Sequence, residues 1–131
     1  MEKVKNVYII DDDEIIIYLT DRLIAEEEFC EKNTTFENGL KALDKIKEAL
    51  ATNGELPDLM LVDLNMPVMD GWEFIDQFEK LALPKPIPIF IFTSSINPID
   101  TEKANHHRSI KGYIQKPLTP IKLDKIKRLI S

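Results

Sequence analysis

Five times along this chain a short apolar cluster gives way to a stretch with apolar residues three or four apart. That alternation constrains the fold more than any other feature. Val7-Tyr8-Ile9-Ile10, Leu59–Val62 and Ile89-Phe90-Ile91-Phe92 are unbroken apolar runs, as strands covered on both faces require. Residues 31–36, polar and partly β-branched, suit a strand at a sheet edge, and Gly112-Tyr113-Ile114 suits a short fifth strand. One face of a helix is marked in turn by Ile16, Leu19 and Leu23, by Leu43, Ile46 and Leu50, by Phe74, Phe78 and Leu81, and by Leu123, Ile126 and Ile130. Residues 98–107 read as one more helix with a weak apolar stripe. Asn38-Gly39 opens the second helix and Thr52-Asn53-Gly54 closes it, while Pro84, Pro86 and Pro88 stop the third from running on into a strand.

Strands that alternate with helices pair in parallel, because each helix carries the chain back across a face of the sheet. A chain of 131 residues builds one such domain, expected to span 1–131, and neither repeat nor linker divides it. The expected fold is α/β, a doubly wound five-stranded parallel sheet of the flavodoxin-like kind. With the polar second strand at an edge, the strand order is 2-1-3-4-5. Sheets of this kind bind ligands beyond the carboxyl ends of their strands.

The residues at those ends are chemically unusual as a set. Strand one runs into Asp11-Asp12-Asp13, strand three into Asp63, strand four into Thr93-Ser94-Ser95 and strand five into Lys116-Pro117. Singly, each has an ordinary explanation: Asp13 suits the first turn of the next helix, and Thr, Ser and Lys-Pro are common in turns. Together they bring several carboxylates, a hydroxyl and an ammonium to one edge. Carboxylates about 4 Å apart repel by roughly 1 to 4 kcal/mol per pair, depending on the effective dielectric. A hard cation with oxygen ligands offsets that repulsion, and Mg²⁺ fits such a set. A carboxylate can also attack phosphorus and carry the phosphoryl group, with a cation, a lysine and a hydroxyl neutralising its oxygens. Neither GxxxxGK[ST] nor GxGxxG occurs, so the phosphoryl donor is expected to be something other than a nucleotide held here.

Charge and cysteine content narrow the setting. A formal charge of −6 argues against a nucleic-acid surface, and Lys122, Lys125, Lys127 and Arg128 read as the solvated face of a last helix. The single cysteine, Cys30, cannot form an internal disulfide and suits a small core position in a reducing compartment. No apolar run reaches the length of a membrane span and no signal-like segment opens the chain, so a cytoplasmic location is expected. Adjacent on a helix, His106 and His107 point about 100° apart and make no metal pair. Trp72 and Phe74, at the start of a helix, are expected mostly in the core.

The segments "IIDDDE", "LMLVDLNMPVMDGWEF", "IFIFTSS" and "GYIQKPL" resemble the signature set of the receiver domain of two-component response regulators, over essentially the whole chain. The resemblance implies a phosphorylation-controlled switch rather than an enzyme acting on other substrates. It makes Asp63 the phospho-acceptor, Thr93 the switch hydroxyl, Lys116 the phosphate-contacting lysine and Tyr113 the aromatic switch. The acidic pair that holds Mg²⁺ with Asp63 is Asp11 and Asp12 if strand one stops at Ile10, or Asp12 and Asp13 if it runs one residue longer. The backbone carbonyl of Asn65 would complete the metal site, and Lys116-Pro117 would be a cis peptide. The implied phosphoryl source is a histidine kinase or phosphotransfer protein. A downstream partner is expected on the face made by helix 98–107, strand five and the last helix, with no output domain after Ser131. Two rival readings are a metal-dependent phosphatase with an aspartate nucleophile and a phosphate-independent interaction module. The first would want a general-acid Asp where Asn65 stands; the second leaves the Asp, Thr and Lys set without purpose.

Overall fold

The computed structural model describes residues 3–131. Along the chain run β1 (Val4–Ile10), α1 (Glu14–Glu26), β2 (Cys30–Phe36), α2 (Gly39–Thr52), β3 (Leu59–Val62), α3 (Gly71–Phe78), β4 (Ile89–Thr93), α4 (Pro98–Ala104), β5 (Ile110–Gln115) and α5 (Pro120–Ile130). All strand pairs are parallel and the order is β2-β1-β3-β4-β5, with polar β2 at an edge as expected.

Alternation along the strands explains why the runs Val7–Ile10, Leu59–Val62 and Ile89–Phe92 are apolar on both faces. Val7 and Ile9 face a core layer shared with Leu61, Phe92, Leu123 and Ile126, whereas Tyr8 and Ile10 face a layer shared with Ile46, Val62, Phe74 and Phe78. Helices on both faces therefore leave Val7–Ile10, Leu59–Val62 and Ile89–Phe92 without a solvent-facing side.

Local chemistry sets the boundaries. Asp13 caps α1, its side chain accepting from the N–H groups of Ile15 and Ile16. Strand one stops at Ile10, which makes Asp11 and Asp12, rather than Asp12 and Asp13, the pair at its tip. Asn38 caps α2, and Asn53 ends it in the left-handed region at φ 57°. Asp70 and Glu73 close a reciprocal capping box on α3.

Four expectations change. The buried face of α1 is built on Thr20 and Ile24, not on Leu19, which lies exposed beside Ile15 and Tyr18. Helix α3 ends at Phe78 and α4 at Ala104. Leu81 falls in the turn after the first, and His106 and His107 in the turn after the second. Both ends unwind because successive N–H groups bond three residues back, as from Lys80 to Gln77 and from His107 to Ala104. Cys30 is half-buried at the start of β2 rather than a core residue. Lys122 is not merely solvated, since its ammonium donates to the carbonyls of Gln115 and Pro117.

Candidate functional site

The last rungs of the sheet fix the residues at its tips. The Asp11 N–H donates to the Phe36 carbonyl and the Asp63 N–H to the Ile10 carbonyl, both at 2.9 Å; the Lys116 N–H donates to the Thr93 carbonyl at 2.7 Å. Asp11, Asp63 and Thr93 are buried at 0%, 7% and 7% exposure, while Asp12 is exposed at the rim.

Lys116 joins the two buried carboxylates. Its Nζ lies 2.6 Å from Asp11 Oδ2 and 3.6 Å from Asp63 Oδ2, and 5.4 Å from the centroid of the Phe92 ring. Carboxylate oxygens of Asp11, Asp12 and Asp63 all lie within 4.8 Å of one another. One ammonium among three carboxylates leaves the cluster negative. Burial, and then the charge of Asp11, push the Asp63 carboxyl up to about 6, against the opposing pull of Lys116 and of the Asn65 N–H. Asp11 Oδ1 accepts from the Asp13 N–H at 3.0 Å, but its buried Oδ2 has no hydrogen bond, only the ion-pair contact with Lys116. A buried carboxylate oxygen with spare capacity, beside two further carboxylates, fits a hard divalent cation.

The other expected residues stand close but are engaged elsewhere. Thr93 Oγ1 donates to the Ser95 carbonyl at 3.0 Å. Tyr113, half-buried, donates its hydroxyl to the Asp100 carbonyl in the first turn of α4. The Asn65 N–H donates to Asp63 Oδ1 at 3.3 Å, and its side chain is exposed, so no carboxylic acid stands two residues after Asp63. Lys116–Pro117 is cis.

Two arrangements escaped sequence reasoning. The tighter partner of Lys116 is Asp11, not Asp63. Gly71 is needed because a Cβ there would lie 2.4 Å from the Asp63 carbonyl oxygen. The sequence marks Gly71, with Pro67, as shaping the turn beside Asp63, but not its close contact with the Asp63 backbone. In the connecting loop Val68 takes φ 68° between Pro67 and Met69, costing about 1–2 kcal/mol for a side chain with a Cβ. Its side chain is 73% exposed beside the site.

The model of the response regulator receiver domain matches residues 7–128. The chain belongs to that family. Chemotaxis protein CheY of Halobacterium salinarum is 34% identical over 113 residues, covering 86% of this chain and 85% of that protein. The DNA-binding transcriptional regulator NtrC of Escherichia coli is 32% identical over 112 residues, but this chain spans only 21% of its length. Among solved structures, a two-component response regulator from Cytophaga hutchinsonii superposes with a TM-score of 0.88 at 30% identity, covering 98% of both chains. The chain is thus a CheY-like receiver domain, the phosphorylation-activated part of two-component switches, and such domains interact with histidine kinases or phosphotransfer proteins. No helix among the described residues is long and apolar enough to cross a membrane.

Proposed function

We propose that this receiver takes a phosphoryl group on Asp63, with Mg²⁺ held by Asp11, Asp12, Asp63 and the Asn65 carbonyl. The observation that carries the reading is Lys116 Nζ between Asp11 and Asp63 in a cluster of three carboxylates. When bound, the metal neutralises charge on the phosphoryl oxygens. An Asp63 oxygen attacks phosphorus, the donor's P–N bond breaks, and its electron pair returns to the donor nitrogen, which takes up a proton. Lys116, freed from part of its contact with Asp11, turns its donors to the new phosphate. The exposed Ile15 and Tyr18 of α1, beside Asp12, offer the apolar ground on which the donor protein sits. Phosphoramidate, a small P–N donor, should add one phosphoryl mass per chain in the presence of Mg²⁺. Turnover of many phosphoesters per chain would instead support a phosphatase.

Metal linkage follows from the same cluster. Asp12→Asn removes one repelling charge at an exposed position, so the metal-free protein should be as stable as wild type, or more so by about 1 kcal/mol. Mg²⁺ should raise the melting temperature of wild type and not of the variant. Calorimetry with and without Mg²⁺ checks both; a metal-free loss beyond about 2 kcal/mol would make Asp12 a structural residue.

Output runs through Thr93 and Tyr113. A phosphate on Asp63 offers the Thr93 hydroxyl a charge-assisted acceptor in place of the Ser95 carbonyl. Its departure opens space behind β4 that Tyr113 enters by breaking from Asp100. The face of α4, β5 and α5, where Ile99 and Ile121 are more than 70% exposed, is thereby re-formed for a downstream partner. Thr93→Ala should still accept phosphate. It should lose the change in Tyr113 and β5 amide shifts that beryllofluoride produces in wild type. Equal shifts in both proteins would contradict this route.

A further inference from the structure

Helix α4 is short and poorly anchored: of its seven residues only Ala104 is buried. Its position therefore depends on a few polar and aromatic contacts more than on core packing. Most of these converge on Trp72. The indole Nε1–H donates to Asp100 Oδ1 at 3.4 Å, Lys103 Nζ stands 4.7 Å from a ring centroid, and the His107 ring packs against the indole at 5.6 Å. His107 is itself held by Glu79, just past the end of α3. Asp100 thus stands between two grips, its side chain on Trp72 and its carbonyl on the Tyr113 hydroxyl.

The residue before Trp72 lies against the acceptor. Gly71 has its backbone in contact with the Asp63–Leu64 peptide, where a Cβ would come within 2.4 Å of Asp63 O and 2.8 Å of Leu64 Cα. The Gly71 N–H donates to the Leu64 carbonyl at 3.1 Å. The Asp70–Glu73 capping box fixes this first turn, so Gly71 and Trp72 sit on a hydrogen-bonded turn packed against the backbone that carries Asp63.

We infer that Trp72 is a positioning residue that ties α4 to the Asp63 loop, a coupling route through α3 separate from Thr93 and Tyr113. The inference rests on Asp63 being the phosphoryl acceptor. Phosphorylation shifts the Asp63–Leu64 peptide, Gly71 follows because backbone touches backbone, and the indole carries the movement to Asp100. The geometry is of the kind that transmits small shifts, a close-packed contact followed by a long rigid side chain.

The test uses the full chain, with beryllofluoride and Mg²⁺ as the phosphoryl mimic and NMR as the readout. In wild type the amides of Asp63 and Leu64, the Trp72 indole N–H and the amides of α4 should all shift. In Thr93→Ala the indole shift should persist while the β5 response is lost. Trp72→Phe keeps an apolar ring and removes the donor: its Asp63 amide should respond as in wild type while the α4 shift changes fall below half. Asp100→Ala should behave like Trp72→Phe, and Asp100→Asn, which keeps an acceptor oxygen, should restore the wild-type response. An indole resonance that ignores beryllofluoride, or a Trp72→Phe protein with wild-type α4 shifts, overturns the Trp72 route and leaves the acceptor assignment standing. A wild type whose Asp63 amide does not respond overturns the acceptor and, with it, this route.

Discussion

Asp63→Asn is expected to be more stable than wild type in metal-free buffer at pH 7.5, by about 1–2 kcal/mol. The Asp63 carboxyl titrates near 6 in the folded chain against an ordinary value of 3.8. That shift, which already includes the opposing pull of Lys116, corresponds to about 3 kcal/mol at most, and solvent screening at the partly open site reduces it. The sign follows from which state binds more protons. Between about pH 4 and pH 6 the folded state holds the proton more tightly, so this residue's contribution falls as pH rises through the window. Above 6 the full cost of the buried charge is present; below about 4 it is absent. The stability difference between variant and wild type, measured by urea denaturation in EDTA, should therefore shrink from pH 7.5 to pH 4. Saturating Mg²⁺ should shrink it too, because a metal bound at 100 times its dissociation constant stabilises wild type by about 2.7 kcal/mol. A variant less stable than wild type by more than about 1 kcal/mol at pH 7.5 would show that Asp63 is held by attractive contacts, against this account.

Gly71→Ala should be the most damaging small substitution near the site. The added methyl would meet backbone atoms of Asp63 and Leu64 at 2.4 and 2.8 Å, and backbone cannot swing aside as a side chain can. Either α3 lifts away or the Asp63 peptide shifts; both disturb a packed core layer and cost about 3 kcal/mol or more. At Gly54 the nearest atom to an added Cβ is the Thr52 side-chain oxygen at 3.3 Å, and φ is not positive, so Gly54→Ala serves as a mild control. Denaturation midpoints of the two variants check the contrast. Gly71→Ala should also label poorly with a small phosphoryl donor, since the acceptor itself is displaced.

Much of this molecule was legible because strand ends carry both fold and site. Asp11, Asp63, Thr93 and Lys116 each lie at or one residue past the end of a strand, and parallel pairing with Ile10 beside Val62 forces their tips together. Reading the strands therefore located the cluster. The helices were less clear, because residues 15–19 of α1 are all apolar and periodicity alone could not choose a face. Tertiary packing chose the side of Thr20 and Ile24 and left Ile15, Tyr18 and Leu19 outside. The residues around Trp72 were illegible for a different reason. Their contacts join α3, α4 and β5 through hydrogen bonds between residues 28 and 13 apart, and nothing in the local pattern of Asp100 or Trp72 announces a partner at that distance. Likewise, the closer approach of Lys116 to Asp11 than to Asp63, 2.6 against 3.6 Å, depends on three-dimensional placement that a sequence does not record.

The central claim is that Asp63, and no other residue, becomes an acyl phosphate. The most direct measurement is to treat the chain with acetyl phosphate and Mg²⁺, reduce it with borohydride, and map the product by peptide mass spectrometry. An aspartyl phosphate is reduced to homoserine, which marks the acceptor covalently. The account predicts one phosphoryl mass on the intact chain, homoserine at position 63 alone, and neither signal when Mg²⁺ is withheld. Homoserine at position 11 or 12, or undiminished labelling of Asp63→Asn, would contradict it.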